Sequence, residues 1–427
     1  MVPEGLKITV IGGGSTYTPE LVNGFIKSGN ELPISEFCLM DIDARKLNIL
    51  GGITRRMFAE AGINCTVTCT ENREIALRNS DYVVSQIRVG QMDARIKDEK
   101  IPLEYDLIGQ ETTGIGGFMK AVRTIPVMLK IAREMEKYCP EAWLINFSNP
   151  SGLIAETLLN NTNIKCIGLC NVPLGMLKKA YKIMQGEPDN YKVDYIGLNH
   201  LAWITSVHYK NRNILGDFIE KTCIKMGKYY DKIDILLKNI KAVPCGYLYY
   251  YYYRDYYLKK LKAQDKTRGE VCLEIENELL HLYNQPNIKQ KPELLDKRGG
   301  GGYAEALISL LSSIYNNKNE IHIVNVKNQG ALDFMGYDDV VEVACYVSRN
   351  SITPIPMNGF KNEHIKDMMR TVKAYEKHAV NAGLYGDYSE ALKALFIHPL
   401  VGDYEKAKAA LDALLKAHRE YLPQFNI

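Results

Sequence analysis

Over the first 170 residues of this 427-residue chain, short apolar runs alternate with segments whose apolar residues recur at helical spacing. Short apolar runs rich in β-branched residues predict buried strands over residues 7–11, 35–40, 64–70, 81–87, 142–147 and 165–169. Apolar positions at helical spacing separate several of them, over residues 21–27, 45–61 and 121–137. Alternating strands and helices favour a parallel sheet with right-handed crossovers, so this part is predicted to be α/β.

The pattern changes near residue 194. Predicted strands become scarcer, with 321–326 and 340–349 the clearest, while aromatic residues become denser over 243–257. Helical spacing recurs over 271–283, 363–384, 388–396 and 404–421. We therefore expect two closely packed domains, a Rossmann-type doubly wound parallel sheet over 1–193 and an α+β domain over 194–427, with the ligand cleft between them.

Composition and charge narrow the range of functions. Hydrophobic residues make up 46% of the chain and charged residues 24%, which suits a protein with a sizeable core and a hydrated surface. The net charge of +3 gives no electrostatic case for nucleic acid or an anionic membrane. We find neither a secretion signal nor a run of about 18 apolar residues that would span a bilayer. Ten scattered cysteines without a C-x-x-C pair favour reduced thiols, so we expect a cytoplasmic protein with a small-molecule ligand.

A glycine-rich turn follows the first predicted strand. It consists of Gly12, Gly13, Gly14, Ser15 and Thr16. Glycine lets the backbone approach a ligand closely and the start of the next helix favours an anion, so the turn is typical of a cradle for a dinucleotide pyrophosphate. Tyr17 stands where G-x-G-x-x-G would have its third glycine, so an ordinary strand–turn–helix connection is the alternative interpretation.

Asp41 lies at the end of the second predicted strand, where a carboxylate can accept hydrogen bonds from the adenosine ribose. Together with the glycine turn and the order of the strands, this position favours NAD over NADP as the cofactor. A loop-capping role for Asp41 is the alternative, and Arg45 follows closely enough to keep NADP open.

Polar side chains follow several predicted strands, at the edge where open α/β sheets bind ligands. They include Arg88, Arg95, Glu111, Asn149, Cys170, Asn171 and His200. A thiolate from Cys170 and an imidazole from His200 can hold a divalent metal with positions left open for substrate oxygens, although each is also consistent with core packing. Taken singly, the arginines, including Arg268 further along, are consistent with surface ion pairs. Tyr247 and Glu111 are likewise consistent with a core aromatic and a helix start.

Together these residues resemble glycoside hydrolase family 4, the NAD- and metal-dependent glycosidases. The matching segments occur in order over nearly the whole chain, at 12–19, 87–90, 109–112, 147–150, 170–173, 197–200 and 247–251. Within the family, Cys-Asn-Val-Pro at 170–173 is similar to the 6-phospho-β-glucosidase branch. The 6-phospho-α-glucosidases tend to carry Cys-Asp there, and the non-phosphorylated α-glycosidases Cys-His. The resemblance implies a Rossmann domain like that of lactate and malate dehydrogenases and a second domain for substrate, metal and oligomer contacts.

The resemblance also implies roles for individual residues. Cys170 and His200 match the metal ligands, with Mn²⁺ the usual metal. The positions that match substrate-binding residues are Arg95, Asn149 and Arg268, with Arg88 as a further candidate for the 6-phosphate.

The same resemblance assigns the proton transfers. Tyr247 matches the proton acceptor, and Glu111 matches the acidic group that raises its basicity. The interval from Tyr247 to Arg268 is one residue longer than expected, so Tyr249 is the alternative base. Asn171 matches a position that is an aspartate general acid in α-acting relatives, and an amide cannot donate a proton in that way, so water is a candidate donor to the leaving group.

The implied reaction is hydrolysis of 6-phospho-β-glucosides, such as cellobiose 6-phosphate, to glucose 6-phosphate. NAD⁺ oxidises C3, C2 is deprotonated, the aglycone is eliminated, water adds and the hydride returns. Tyr247 then needs a pKa below its ordinary value of about 10, which a nearby cation would provide. A homodimer or homotetramer is expected by resemblance only. The alternatives are a 6-phospho-α-glucosidase or other glycosidase of the family, an NAD-dependent 2-hydroxy-acid dehydrogenase, and a non-catalytic NAD-responsive regulator.

Overall fold

A parallel sheet forms the centre of the amino-terminal half in the computed structural model, which describes residues 5–185 and 190–426. Its strands are β1 Leu6–Ile11, β2 Ile34–Met40, β3 Thr66–Thr70, β4 Tyr82–Ser85, β5 Trp143–Asn146 and β6 Lys165–Gly168. They pair in parallel in the order β3-β2-β1-β4-β5-β6. This is the strand order of a Rossmann fold, with its reversal between β1 and β4, and it confirms the predicted doubly wound sheet.

Seven helices connect the described strands of this half, and the first, second and fifth lie near predicted positions, whereas the other four were not predicted. They are α1 Thr18–Ser28, α2 Ala44–Glu60, α3 Arg73–Leu77, α4 Gln91–Glu104, α5 Gly114–Tyr138, α6 Ser151–Asn161 and α7 Val172–Met184. The largest difference is at α5, which begins at Gly114, whereas helical spacing predicts its start at residue 121. Glycines near its start obscure the helical pattern, but they are needed for packing, since a Cβ on Gly116 would lie 2.3 Å from the main-chain oxygen of Gln110.

The core of this half is apolar on both faces of the sheet, as a parallel sheet requires. The fully buried strand side chains include Ile8, Val10, Val83, Leu144 and Ile167. Between the sheet and α1 and α2, Phe37 makes edge-to-face contacts with Phe25 and Phe58 at centroid distances of 5.5 and 5.6 Å. Each fully buried side chain of this kind contributes about 1.5–3 kcal/mol, so the core holds the strand ends in a fixed arrangement.

The sheet continues into the second half of the chain. Its further strands are β7 Tyr191–Leu198, β8 Leu201–Tyr209, β9 Arg212–Asn213, β10 Val243–Pro244, β11 Glu320–Lys327, β12 Val340–Val347 and β13 Ile352–Pro354. These strands pair antiparallel, and β11 joins β6 through Asn325 and Gly168. The expected scarcity of strands after residue 194 is therefore wrong, because the β7–β8 hairpin lies there. The boundary at 193/194 falls inside β7 and stays a prediction.

The second half also contains helices, which confirms its α+β class. They are α8 Leu215–Met226, α9 Ile233–Ile240, α10 Leu248–Tyr252, α11 Arg254–Lys262, α12 Arg268–Tyr283, α13 Leu294–Arg298, α14 Tyr303–Tyr315, α15 Glu363–Tyr385, α16 Tyr388–Ile397 and α17 Tyr404–Ala417. Helix α12 begins at Arg268 because Thr267 and Glu270 form a capping box. Within the described ranges no helix is long and apolar enough to cross a membrane.

A buried ion pair fixes the two helices that carry much of the candidate site. Arg123 on α5 donates two hydrogen bonds, of 2.9 and 2.7 Å, to the carboxylate of Asp98 on α4. The ring of His418, just beyond α17, lies 3.0 Å from the same carboxylate. Because removing one partner of a buried pair costs about 3–5 kcal/mol, this contact locks α4 against α5.

Candidate active site

A cavity of about 600 Å³ lies at the carboxyl ends of β1 and β4, where the strand order reverses. The predicted site residues that line it are Gly12, Gly14, Ser15, Asp41, Arg88, Arg95, Glu111, Asn149, Asn171, His200 and Tyr247. Cys170 contacts His200 from outside the lining, and Gly13, Thr16 and Arg268 also lie outside it. The structure thus brings most of the predicted residues together around one space.

The glycine turn at one end of the cavity is packed too tightly for side chains. Gly12 has a φ of +90°, and a Cβ there would lie 3.0 Å from the main-chain carbonyl of Gln86. A Cβ on Gly14 would lie 2.8 Å from the carboxylate of Asp41. The hydroxyl of Thr16, beside the turn, is buried and has no hydrogen-bond partner among the described residues. A close backbone approach and an unused hydroxyl both fit a dinucleotide pyrophosphate.

Asp41 closes this turn against the end of β2. Its Oδ2 accepts a hydrogen bond from the Gly14 amide at 2.8 Å, and its Oδ1 accepts one from the Asp43 amide at 3.1 Å. The capping interpretation of Asp41 therefore holds. Because Asp41 also lines the cavity, its remaining lone pairs are available to a ribose hydroxyl, and that role stays a prediction.

The turn of the β7–β8 hairpin brings His200 to the end of β6. His200 adopts a φ of +66°, which is uncommon for a residue with a side chain, and its Nε2 lies 3.5 Å from Sγ of Cys170. Burial, followed by the charge of Lys120, lowers the pKa of His200 to about 3, so the ring is neutral near pH 7. Its Nδ1 is buried without a partner among the described residues.

A thiolate and a neutral imidazole at this distance fit a divalent transition metal. Burial and the carboxyl of Glu342 raise the pKa of the Cys170 thiol to about 12, and a bound cation would reverse this shift. The described residues contain no group of three or more His, Cys, Asp or Glu side chains that could hold a metal. A metal at Cys170 and His200 would therefore keep coordination positions open for oxygens of a ligand.

Glu342 on β12 stabilises the turn of the β7–β8 hairpin through hydrogen bonds. Its buried carboxyl accepts hydrogen bonds from Asn199 Nδ2 at 3.2 Å, from Asn325 Nδ2 at 2.9 Å and from the hydroxyl of Tyr195. Burial raises the pKa of Glu342 above its ordinary value. Since Asn199 immediately precedes His200, this network fixes the backbone that carries the imidazole.

Three basic side chains surround Glu111. Its Oε2 lies 2.5 Å from Arg88 Nη1, 3.2 Å from Arg95 Nε and 3.4 Å from Lys120 Nζ. Burial alone would raise the pKa of this carboxyl, but the three cations hold it well below its ordinary value. Glu111 therefore stays ionised. Arg95 Nε also donates to Glu99 Oε1 at 2.8 Å, so the three cations face two carboxylates and exceed them by one charge while Lys120 is protonated, which suits an anionic group of a ligand.

Lys120 on α5 is a cavity residue that the sequence analysis missed. Burial and the neighbouring charge of Arg88 lower the pKa of its ammonium group to about 7, although Glu111 opposes the shift. A lysine between Phe118-Met119 and Ala121-Val122 in an apolar stretch is the signal that could have identified it. Its side chain is 6% exposed, so its charge is not dispersed into bulk solvent.

Tyr247 and Tyr249 occupy different environments. The ring of Tyr247 lines the cavity and stacks on His200 with the ring centroids 4.0 Å apart. Tyr249 is buried against Tyr230 at a centroid distance of 4.4 Å and does not line the cavity. Burial raises the pKa of the Tyr247 hydroxyl, and the Cys170 thiol and Glu111 add to this shift. A base at this position therefore needs a cation beside it to lower its pKa. A metal held by the neighbouring Cys170–His200 pair would be such a cation.

Asn149 and Arg268 also occupy different environments, since Asn149 lines the cavity and Arg268 does not. Asn149 lines the cavity, donates from Nδ2 to the Phe147 carbonyl at 3.1 Å, and leaves its buried Oδ1 without a partner in the described part of the chain. Arg268 is exposed, and its Nη2 donates to the carbonyls of Lys297 and Arg298 at 2.8 and 3.1 Å. The structure thus places Asn149 in the cavity lining and Arg268 behind the segment that lines the cavity.

A Rossmann-type sheet with a glycine turn at its switch point and a Cys–His pair at the end of β6 defines a dinucleotide-binding α/β protein with a candidate metal site. The model of the family 4 glycosyl hydrolases matches residues 7–185, and that of the family's C-terminal domain matches residues 195–401. The chain belongs to this family of glycoside hydrolases.

Curated relatives match over nearly the full length. A Bacillus subtilis protein named "Probable 6-phospho-beta-glucosidase" is 42% identical and a 6-phospho-beta-glucosidase of Escherichia coli is 36% identical, each over 99% of this chain and 97–98% of the relative. Relatives named as phospho-alpha-glucosidases are more distant, at 27–28% identity.

Solved structures agree with this assignment. The 6-phospho-beta glucosidase from Thermotoga maritima, solved with manganese, NAD⁺ and glucose-6-phosphate, has a TM-score of 0.90 and 33% identity, covering 97% of this chain and 99% of that one. A malate dehydrogenase from Plasmodium falciparum has a TM-score of 0.56 at 13% identity. This second likeness concerns the fold alone, and it confirms the expected dehydrogenase-like architecture.

Proposed function

We propose that this chain hydrolyses 6-phospho-β-glucosides, such as cellobiose 6-phosphate, to glucose 6-phosphate, and that it uses NAD and a divalent metal such as Mn²⁺. The single observation that carries the proposal is one cavity that joins the glycine turn, the Cys170–His200 pair and Tyr247. The relatives named as 6-phospho-β-glucosidases and the ligands of the Thermotoga structure support the same substrate and cofactors.

The residues around the cavity divide into those for the cofactors and those for the sugar. Gly12, Gly13, Gly14, Ser15, Thr16 and Asp41 would hold the dinucleotide, and Cys170 and His200 would hold the metal. When bound, NAD⁺ supplies a reversible hydride acceptor for C3 and the metal supplies a Lewis acid beside C2 and C3. The chain itself has to orient the sugar, bind its phosphate and move a proton.

Tyr247 is the proposed base for the C2 proton. Its stacking on His200 holds the phenol beside the metal site, and Glu111 adds negative charge that makes the hydroxyl a stronger base once it is deprotonated. Tyr249 is a poor second candidate because its ring is packed against Tyr230. Loss of the C2 proton then allows the glycosidic oxygen to leave from C1 by elimination.

Protonation of the departing oxygen falls to water in this proposal. Asn171 lines the cavity, but its amide cannot act as a general acid. The Oδ1 of Asn149, which has no partner among the described residues, accepts a hydrogen bond from a sugar hydroxyl and so orients the ring. Arg88, Arg95 and Lys120 bind the 6-phosphate, since charge-assisted hydrogen bonds from guanidinium groups suit this anion.

Three further properties belong to the same proposal. The polypeptide divides near 193/194 into a cofactor domain and a substrate domain. The protein is cytoplasmic, which its ten free cysteines support. It assembles as a homodimer or homotetramer, by analogy with its family alone.

The test is an assay with a chromogenic β-glucoside 6-phosphate in which NAD⁺ or Mn²⁺ is omitted in turn. Controls are the unphosphorylated β-glucoside and the α-linked 6-phosphate. The proposal expects cleavage only of the β-linked 6-phosphate and only with both cofactors. Activity that survives removal of both would contradict the mechanism, and preference for the α-linked compound would favour the 6-phospho-α-glucosidase alternative. Accumulation of NADH with 2-hydroxy acids would favour a dehydrogenase.

A further inference from the structure

One segment around the cavity has no role in the proposed reaction. Residues 297–302 read Lys-Arg-Gly-Gly-Gly-Gly, and Arg298, Gly299 and Gly300 line the cavity. Gly299, Gly300 and Gly302 have φ values of +93°, +88° and +88°. Residues with a side chain rarely adopt this backbone, so the glycines are what permit the chain to leave α13 and pass along the cavity.

Hydrogen bonds from three different elements fasten this segment. Arg268 Nη2 on α12 donates to the Lys297 and Arg298 carbonyls at 2.8 and 3.1 Å. The Tyr17 hydroxyl donates to the Gly300 carbonyl at 2.7 Å, and Asn171 Nδ2 donates to the next carbonyl at 2.8 Å. The backbone carbonyl of Arg298 is therefore held by Arg268 from outside the cavity, while the Arg298 side chain lines the cavity.

The guanidinium group of Arg298 faces one carboxylate, that of Glu276, beyond hydrogen-bonding distance. Its Nε is buried and has no hydrogen-bond partner among the described residues. The nearest carboxylate oxygen, Oε2 of Glu276, lies 4.0 Å from Nη2, while Oε1 of Glu276 is held by Lys46 Nζ at 2.7 Å. A guanidinium that is only 17% exposed, with a buried Nε that finds no acceptor in the described part of the chain, is costly to keep, which points to an anion that completes the site.

The position of Arg298 identifies the chemistry of that anion. Arg298 shares the cavity lining with Gly14, Ser15 and Tyr17 of the glycine turn. Its own segment contacts this turn, since a Cβ on Gly300 would lie 3.0 Å from the Tyr17 ring. Arg88, from the basic cluster at Glu111, lines the same cavity. The guanidinium thus lies in a region where two phosphoryl groups are expected, the dinucleotide pyrophosphate and the sugar 6-phosphate.

We propose that Arg298 binds a phosphoryl group in the cavity through the forked donors of its guanidinium, an inference that rests on the proposed function. The phosphoryl group belongs either to the dinucleotide or to the sugar. Guanidinium binds phosphate in a bidentate, planar geometry that an ammonium group cannot reproduce. Arg268, which matches a substrate-binding position of the family, then acts here by holding the carbonyl of Arg298.

The experiment measures binding by isothermal titration calorimetry on the full chain. NAD⁺ and glucose 6-phosphate are titrated separately, with adenosine and glucose as ligands that lack the phosphoryl groups. The variants are Arg298→Met, Arg298→Lys and, as a matched control, Lys297→Met, which removes an adjacent exposed charge. Arg298→Met should weaken one of the two phosphorylated ligands about tenfold or more, because charge-assisted hydrogen bonds are lost. Arg298→Lys should recover only part of this loss, and Lys297→Met should bind like the wild type.

The ligand that loses affinity identifies the source of the phosphoryl group. Wild-type affinity for both ligands in Arg298→Met, or an equal loss in Lys297→Met, would overturn the inference. If Arg298→Met fails to fold by circular dichroism, Arg298→Lys carries the test, and its unchanged affinity for both ligands would overturn the inference as well. A wild-type chain that binds neither ligand contradicts the proposed function itself, which keeps the two failures distinguishable.

Discussion

Asn171 Nδ2 donates a hydrogen bond of 2.8 Å to the main-chain oxygen of Gly301. Asn171, at the start of α7, thereby holds the glycine segment 297–302 in place beside the cavity. An ionised aspartate cannot make this contact, because it only accepts hydrogen bonds. The amide thus has a structural use at a position that matches an acid of α-acting relatives by resemblance, and the proposed mechanism assigns protonation of the aglycone to water.

Replacing Asn171 with Asp should loosen the glycine segment. The variant loses the hydrogen bond and places a carboxylate against the Gly301 carbonyl, so hydrogen–deuterium exchange over residues 299–302 should become faster. Asn171→Ala loses the bond without the repulsion and should show a smaller increase. Asn160→Asp is the matched control, because Asn160 Nδ2 donates to the Asp338 carbonyl elsewhere. Unchanged exchange in Asn171→Asp would show that the contact does not hold the segment.

The charge of Lys120 should control the affinity for phosphorylated sugars near neutral pH. A lysine is charged below its pKa, and burial lowers this pKa from 10.5 to about 7. Raising the pH through 7 therefore removes a positive charge beside Arg88 and Arg95, whereas an ordinary lysine would keep it. Affinity for glucose 6-phosphate should fall severalfold between about pH 7 and about pH 9, where the phosphate stays a dianion because its second pKa is about 6.

Lys120→Arg is the matched variant for this titration, because arginine stays charged throughout the range. Its affinity for glucose 6-phosphate should show little dependence on pH. A pH dependence as steep as that of the wild type would assign the titration to another group.

Cys170→Ser should weaken the dependence on Mn²⁺. The substitution replaces a thiol with a hydroxyl that is a weaker metal ligand, so the Mn²⁺ concentration for half-maximal activity should rise by about tenfold or more. Cys166→Ser on β6 is the control, since that thiol is also buried but burial alone raises its pKa, whereas Cys170 contacts His200. An unchanged Mn²⁺ response in Cys170→Ser would refute the assignment of this ligand.

Glu342→Ala should weaken the metal site indirectly and destabilise the protein. The buried hydroxyl of Tyr195 and the partly buried amide of Asn199 lose their acceptor, and a buried unsatisfied group costs about 1–3 kcal/mol, whereas Asn325 Nδ2 keeps the Gly168 carbonyl at 3.2 Å. The free energy of unfolding in urea should fall accordingly, and affinity for Mn²⁺ should fall about tenfold as the His200 turn loses support. Glu342→Gln keeps one acceptor oxygen and should recover part of both losses. If a folded Glu342→Ala variant bound Mn²⁺ with wild-type affinity, the supporting role of Glu342 would be refuted.

Local patterns predicted the amino-terminal half well. Each buried parallel strand is a short apolar run, and the glycines at 12–14 mark a turn that admits no Cβ. Family resemblance identifies Tyr247 and His200 as site residues, since a tyrosine in a row of tyrosines carries little information of its own. Their stacking across the β7–β8 turn is a tertiary contact that no local period encodes.

The sequence was least informative where function depends on distant partners. The β7–β8 hairpin was missed because its strands mix polar and apolar residues around a two-residue turn at Asn199–His200. Arg298 lines the cavity and Arg268 does not, and the order of residues along the chain does not reveal this difference. Lys120 was overlooked because its altered pKa arises from its burial in the folded protein and from Arg88 in the loop after β4.

The most direct test of the central claim is hydrolysis of a β-glucoside 6-phosphate in D₂O, followed by NMR or mass analysis of the glucose 6-phosphate. If Tyr247 removes the C2 proton before the aglycone leaves, C2 is reprotonated after exchange with solvent and the product carries deuterium there. Tyr247→Phe, which lacks the hydroxyl, should lose both activity and exchange. A product that keeps its original hydrogen at C2, as direct displacement at C1 would give, contradicts the account.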